Sequence, residues 1–255
     1  MTQTCFFKVV IPARYNSHRL PGKPLLELAG KPMIQHVYER AAQSGSSETV
    51  IATDDKRIAE CASGFGASVC MTSSEHVSGT DRISEVVEKL DWLDEEIVVN
   101  VQGDEPLISP VLINQVASNL NKFSEASIST LCTALKDAEL VNDPAVVKVV
   151  SDRKGFAHYF SRAAIPHDRD SAASDVRAFA YKHIGLYAYR VGFLKSYPNL
   201  PISPLEEIEK LEQLRALWNG YKIYVDVARE IPGQDVNTEN DIAMVEAALN
   251  RSGEA

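Results

Sequence analysis

Short apolar runs alternate along this chain with stretches in which apolar residues recur every three or four positions. Runs at residues 6–12, 48–53, 67–71 and 97–102 predict strands, and the periods at 32–43, 55–63 and 81–90 predict the helices between them. Such a β-α-β rhythm implies a largely parallel sheet with helices on both faces. Ligands in sheets of this kind gather at the carboxyl ends of the strands. The segments to search are therefore 13–24, 53–55, 72–82 and 103–106.

Beyond about residue 125 the pattern changes. Strands are predicted at 127–135, 145–151, 156–161 and 182–189, with a polar loop at 167–177 between the last two. Residues 203–219 predict one helix: Ser203 as cap, Pro204 in the first turn, Glu206 completing a capping box and Gly220 ending it. A strand at 222–227 and a helix at 238–249 close the chain. The expectation is one α/β domain over 1–255, with a change of pattern near residue 125 that separates a first half from a smaller lobe over 126–255.

Composition narrows the function more than the fold. A net charge of −9 argues against nucleic acid as the main partner, because the phosphate backbone is met by a basic face. The four cysteines form no CxxC, which fits a reduced, cytoplasmic chain. No run approaches the roughly 20 apolar residues of a membrane span.

Three constellations carry candidate chemistry. After the first strand comes IPARYNSHRLPGKPL, in which Arg14, Arg19 and Lys23 occur with no acid between them. They suit a triphosphate, although a solvated basic loop would read the same; Pro24 and the missing leading Gly exclude a P-loop. The run VNVQGDEP brings Gln102, Gly103 and Asp104 out of a strand end, where Gly103 would let a ligand approach and Asp104 would offer Mg²⁺ a hard oxygen. An acidic turn before the helix at Ser109 is the alternative. Glu206, Glu209 and Gln213 fall on one face of the 203–219 helix, as a sugar-gripping stripe or as a solvated one. The Asp168-Arg-Asp170 spacing of metal-dependent glycosyltransferases lies in a polar loop and carries no claim. His36 and His183 both read as packing residues on pattern alone.

These segments, with GKPMIQH, VCMTSSEHVSGTDR, YFSRAAIP, HIGLYAY and SPLEEIEKLEQLR in order along the chain, closely resemble the 3-deoxy-manno-octulosonate cytidylyltransferases. The resemblance implies a nucleotide-diphospho-sugar transferase-like, Rossmann-like α/β fold with a smaller sugar-binding and dimer-forming lobe. It also implies a homodimer, and a reaction of CTP with an octulosonate-type sugar acid (Kdo or its 8-amino analogue) that needs Mg²⁺. It assigns Ala13, Arg14, Arg19, Lys23, Ser78, Gly79 and Thr80 to the nucleotide. Gln102, Arg162, His183, Tyr187, Glu206, Glu209 and Gln213 go to the sugar acid, Lys23 and Asp104 to catalysis, and Asp104 with position 237 to the metal. The family's second metal-binding Asp is Asn237 here, in GQDVNT, with Asp235 two residues earlier. Rival readings are a glycosyltransferase using nucleotide sugars and an inactive nucleotide-binding subunit.

Overall fold

In the computed structural model, which describes residues 5–16, 20–135, 137–169 and 180–253, the apolar runs become strands of a nine-stranded sheet. The first half supplies β1 (Lys8–Ala13), β4 (Glu48–Thr53), β5 (Ser68–Met71) and β6 (Ile97–Asn100). The second supplies β7 (Ile128–Ala134), β8 (Lys148–Ser151), β9 (Ala157–Ser161), β10 (Tyr181–Arg190) and β11 (Ile223–Val227). The path runs β11-β7-β10-β6-β1-β4-β5, with β8 pairing β10 and β9. β1, β4, β5 and β6 pair in parallel, as do β7 and β11, whereas β10 is antiparallel to β6, β7 and β8. The sheet is therefore mixed, parallel at four of the six pairings along that path and antiparallel where β8 and β9 join it, and β10 links its two halves.

Alternation along the strands decides the layers. Val9, Ile11 and Ala13 face one core, and Val10 faces the other. The first core takes in α1 (Met33–Ala42), α2 (Lys56–Gly64) and α4 (Pro110–Lys122). The second takes in α3 (Gly79–Lys89), α6 (Val191–Ser196) and α8 (Gln213–Trp218). Fully burying a Val, Ile or Leu is worth about 2 kcal/mol, so two apolar stripes per strand hold helices to both faces. A smaller core of Leu28, Met33, Val236 and Val245 docks α9 (Glu239–Gly253) on the hairpin β2 (Glu27–Leu28) and β3 (Lys31–Pro32).

Side-chain caps turn the chain at the strand ends. Asp55 accepts from the Arg57 N–H at 2.9 Å to open α2, Ser78 from that of Asp81 at 3.0 Å to open α3, and Ser109 from that of Val111 to open α4. β1 lies between β4 and β6, so the crossover from β5 to β6 reverses the winding and opens a crevice where β1 and β6 end.

One predicted element is corrected. Residues 203–219 form two short helices, α7 (Pro204–Glu209) and α8, separated by Lys210 in the left-handed region at φ 55°. Nor is there a full capping box: Ser203 caps the Leu205 N–H at 3.1 Å, but the Glu206 carboxylate turns to Arg215. The pattern also gave no sign of the β2–β3 hairpin, of α5 (Ala138–Asn142) or of α6. Of the 167–177 loop, residues 170–177 lie outside the described residues.

Candidate active site

The crevice at the ends of β1 and β6 brings the first two constellations together. The chain leaves β1 at Ala13, passes the half-buried Arg14 and folds back so that the Gly22 N–H donates to the Tyr15 carbonyl at 3.0 Å. Gly22 has φ 70° and lies against the Tyr15 ring, a position that suits glycine. This turn delivers Lys23, whose Nζ donates to Asp104 Oδ2 at 2.6 Å. Arg19 lies outside the described residues. A side chain at Gly103 would meet the Pro12 carbonyl at 3.0 Å, so this glycine lets the two strand ends approach each other. That is a packing reason for this glycine, beside the ligand approach expected from the sequence.

The segment before α9 closes the crevice. The Val236 N–H donates to the Asp104 carbonyl at 3.0 Å, and the Asn237 amide donates to Asp235 Oδ2 at 2.5 Å. Asp241 holds this segment by accepting from the Asn237 and Thr238 N–H groups at 2.9 and 2.7 Å. Asp104, Asp235 and Asn237 thus come together, although more than 130 residues separate the first from the others in the chain. Their closeness is felt by Glu105: desolvation, reinforced by the Asp104 and Asp235 charges, pushes its pKa up to about 8.

Around Arg14 the field is mixed. Desolvation and the neighbouring Arg82 lower its pKa, while Asp54, Glu212 and Asp81 oppose the shift. Arg82 is fully buried, with Nη2 donating to Asp54 Oδ2 at 3.1 Å and Nη1 to the Thr72 hydroxyl. Sequence reading passed over it as a helix residue of α3.

Beside the crevice opens a cavity of about 310 Å³, lined by Thr80, Asn100, Gln102, Tyr187, Glu212 and Gln213 among others. Strand alternation builds its floor: Asn100 and Gln102 share one face of the β6 exit, and Gly185, Tyr187 and Tyr189 share one face of β10. Tyr187 and Tyr189 stack at 5.7 Å, and Tyr189 and Phe193 at 6.0 Å. Burial raises the pKa of both tyrosines, which keeps their hydroxyls protonated. Of the buried polar atoms on residues lining this cavity, Asn100 Oδ1 and the Tyr197 hydroxyl meet no hydrogen-bond partner among the described residues. A buried acceptor left unmatched costs about 1–3 kcal/mol, which a polar ligand can recover.

Of the residues assigned to substrates, Gly79, Thr80, Gln102, Tyr187 and Gln213 line this cavity. Ser78 sits beside it as the cap of α3. Four of the others hold protein groups in this structure. Glu206 is buried in a two-bond ion pair with Arg215, at 2.8 and 2.6 Å. Glu209 accepts from the Ser161 hydroxyl at 2.6 Å and the Arg162 N–H at 2.9 Å. The Arg162 guanidinium donates to the carbonyls of Glu209 and Pro144. His183 packs edge-on to Phe160, its Nε2 3.0 Å from the Thr130 hydroxyl, and burial lowers its pKa to about 3. His36 is likewise a packing residue, bonded to the Leu28 carbonyl at 2.7 Å.

Sequence reading also missed Asn100 and Glu212. Asn100 had a signal, since two amides two residues apart interrupt an otherwise apolar strand. Glu212 had none: it meets the Thr80 hydroxyl at 3.0 Å only because the helix breaks at Lys210. Desolvation by the surrounding protein raises its pKa.

The cytidylyltransferase family profile matches residues 8–223. A 3-deoxy-manno-octulosonate cytidylyltransferase of Haemophilus influenzae (strain 86-028NP) is 53% identical over 250 residues, covering 95% of this chain and 98% of that protein. That of Marinobacter nauticus is 54% identical over 256 residues, covering 97% and 98%. The chain belongs to the 3-deoxy-manno-octulosonate cytidylyltransferase family. It is a nucleotidyltransferase, then, and its fold agrees. A solved CMP:2-keto-3-deoxy-manno-octonic acid synthetase complexed with CTP superposes with a TM-score of 0.89 at 41% identity, covering 97% of this chain and 99% of that one. A cytidylyltransferase from Leptospira borgpetersenii shares the fold at a TM-score of 0.61 and 14% identity.

Proposed function

We propose that this cytidylyltransferase couples CTP to a 3-deoxy-manno-octulosonate-type sugar acid, releasing pyrophosphate and forming the CMP-sugar used in lipopolysaccharide synthesis. The observation that carries the reading is the Lys23–Asp104 pair at the ends of β1 and β6, opening beside a cavity floored by Asn100, Gln102 and Tyr187. Family membership supplies the reaction class, and the crevice and cavity support a separate position for each substrate.

The triphosphate belongs beside Arg14 and Lys23. A phosphate there offers Lys23 a second anion, so the ammonium can exchange between Asp104 and the nucleotide. The sugar acid belongs in the cavity, where the orphaned Asn100 Oδ1, the Gln102 and Gln213 amides and the tyrosine hydroxyls meet its hydroxyls. Its anomeric hydroxyl then attacks the α-phosphorus of CTP, the bond to the β-phosphate oxygen breaks and pyrophosphate leaves. Catalysis is positioning and charge stabilisation.

Mg²⁺ fits the donor set. Asp104 and Asp235 are close enough for both to act on Glu105, and Asn237 bonds Asp235. No group of three or more His, Cys, Asp and Glu among the described residues forms a closed metal site. An open set of one or two carboxylates, completed by substrate phosphates, is how proteins usually hold this ion. Asp104, with Asp235 or Asn237, would hold it; bound there, it supplies neutralisation of phosphate charge.

A homodimer formed through the second half of the chain belongs to the same reading, and sedimentation would test it. So does a cytoplasmic setting, since the four cysteines are unpaired and no described helix is long and apolar enough to cross a membrane. The deciding experiment is pyrophosphate release from CTP and Mg²⁺, with Kdo and its 8-amino analogue supplied separately. Turnover with either sugar supports the reading and names the substrate. CTP binding without turnover on both would overturn it.

A further inference from the structure

The largest buried charges include Lys148, the first residue of β8, which is fully buried. Among the described residues its ammonium is hydrogen-bonded to no carboxylate, although the Asp143 and Glu209 charges act on it. It donates to three backbone carbonyls: Asp143 at 2.9 Å, Val146 at 2.7 Å and Arg162 at 2.5 Å. Three donors thus meet three acceptors from two stretches of chain, the turn before β8 and the residue that follows β9. Burying a charge is costly even when its bonds are satisfied, and a neutral side chain of the same volume would fill the space with less penalty. What a neutral side chain cannot do is tie three carbonyls to one point.

The tie has a direction. Arg162, held by its carbonyl from Lys148, is held by its N–H from Glu209, and its guanidinium returns to the Glu209 carbonyl and to Pro144. Glu209 is the last residue of α7. Immediately after it the chain enters the left-handed turn at Lys210, and residues 210–213 form one wall of the cavity. Nothing in the local sequence stops the helix there, since no Gly or Pro lies between 205 and 219. The Ser161 and Arg162 contacts to Glu209 coincide with the point at which the helix breaks.

We propose that Lys148 is a positioning residue for sugar selection. By fixing the end of β9, and through Arg162 and Glu209 the break at Lys210, it sets the cavity wall that presents Glu212 and Gln213. This rests on the reading that the cavity takes the sugar acid. CTP, placed at the β1 and β6 ends, lies outside the tie, and the two substrates should therefore respond differently.

The test compares KM for each substrate in Lys148→Met, Ser161→Ala and Gln213→Ala, with thermal unfolding to confirm a folded chain. In Lys148→Met the sugar-acid KM is expected to rise about tenfold or more, as for displaced positioning groups, with the CTP KM unchanged within about twofold. Ser161→Ala, which loosens Glu209 while leaving Lys148 intact, should shift the same constant less. A parallel rise in both KM values would make Lys148 a general structural residue and overturn the proposal. Should Lys148→Met fail to fold, Ser161→Ala decides, and an unchanged sugar KM there rejects the tie. A shift in Gln213→Ala alone overturns the tie but keeps the cavity reading. No shift in any of the three overturns both.

Discussion

Two ion pairs, one at the ends of β1 and β6 and one between α7 and α8, show how one interaction serves two purposes. Lys23 and Asp104 share a single 2.6 Å contact; the Lys23 side chain is only 11% exposed, but about a third of the Asp104 side chain is exposed (34%). Glu206 and Arg215 make two contacts, each side chain is 11% exposed, and the guanidinium also lies 4.5 Å from the centre of the Tyr197 ring. A partly solvated pair contributes little to stability and is easily exchanged for another partner. A buried two-bond pair is costly to break, because the remaining charge has nowhere to go. The β1–β6 end is therefore open to rearrangement by a ligand, and the α7–α8 end is rigid.

Substitutions can break this contrast. Arg215→Met is expected to destabilise the fold by about 3 kcal/mol, read from urea unfolding; a loss no larger than that of Lys23→Met, about 1 kcal/mol or less, would erase the distinction. Asp104→Ala should do the reverse, lowering turnover by about 10²-fold or more while leaving the unfolding midpoint almost unchanged. Near-normal pyrophosphate release would remove Asp104 from the site. Asn100→Ala, which deletes the orphaned acceptor in the cavity floor, should raise the sugar-acid KM by about tenfold and leave the CTP KM alone.

Smaller effects sharpen the comparison. Asn237→Asp adds a carboxylate beside Asp235, so Mg²⁺ should raise its thermal midpoint more than that of the parent chain; an equal response would put the contact at Asp235. His183 belongs to the rigid end. With its pKa lowered from the ordinary 6.5 to about 3, the folded chain binds fewer protons than the unfolded one across that window. Its contribution to stability is complete above pH 6.5 and is lost as pH falls towards 3. His183→Gln should flatten the stability profile over that range, and an unchanged slope would show that His183 is accessible to protons.

Much of this was legible in the residues. The strand at Glu48–Thr53 and the helices flanking it stand where an apolar run and 3.6-residue periodicity put them, because the strand is buried on both faces and each helix buries one. Arg14, Lys23 and Asp104 were legible too, since strand ends in a β-α-β sheet converge on one edge. The polar stripe Glu206–Glu209–Gln213 was not. Its spacing is that of a helix face, but the face is broken at Lys210, and two of its three members are used to hold other protein groups. The histidine assigned to the sugar acid is buried against Phe160, as its pattern alone suggested.

By itself, then, the sequence determined the main strands and the helices between them, the two-sided core, the crevice at the ends of β1 and β6 and the family, all of which follow from local periodicity and short motifs. The tertiary structure decided the rest. It brought Asp235 and Asn237 back to Asp104, broke the 203–219 helix, and turned Asn100 and Glu212 into cavity walls. Those outcomes depend on contacts between residues dozens to more than a hundred positions apart, whose energies compete with local preference and leave no periodic trace along the chain.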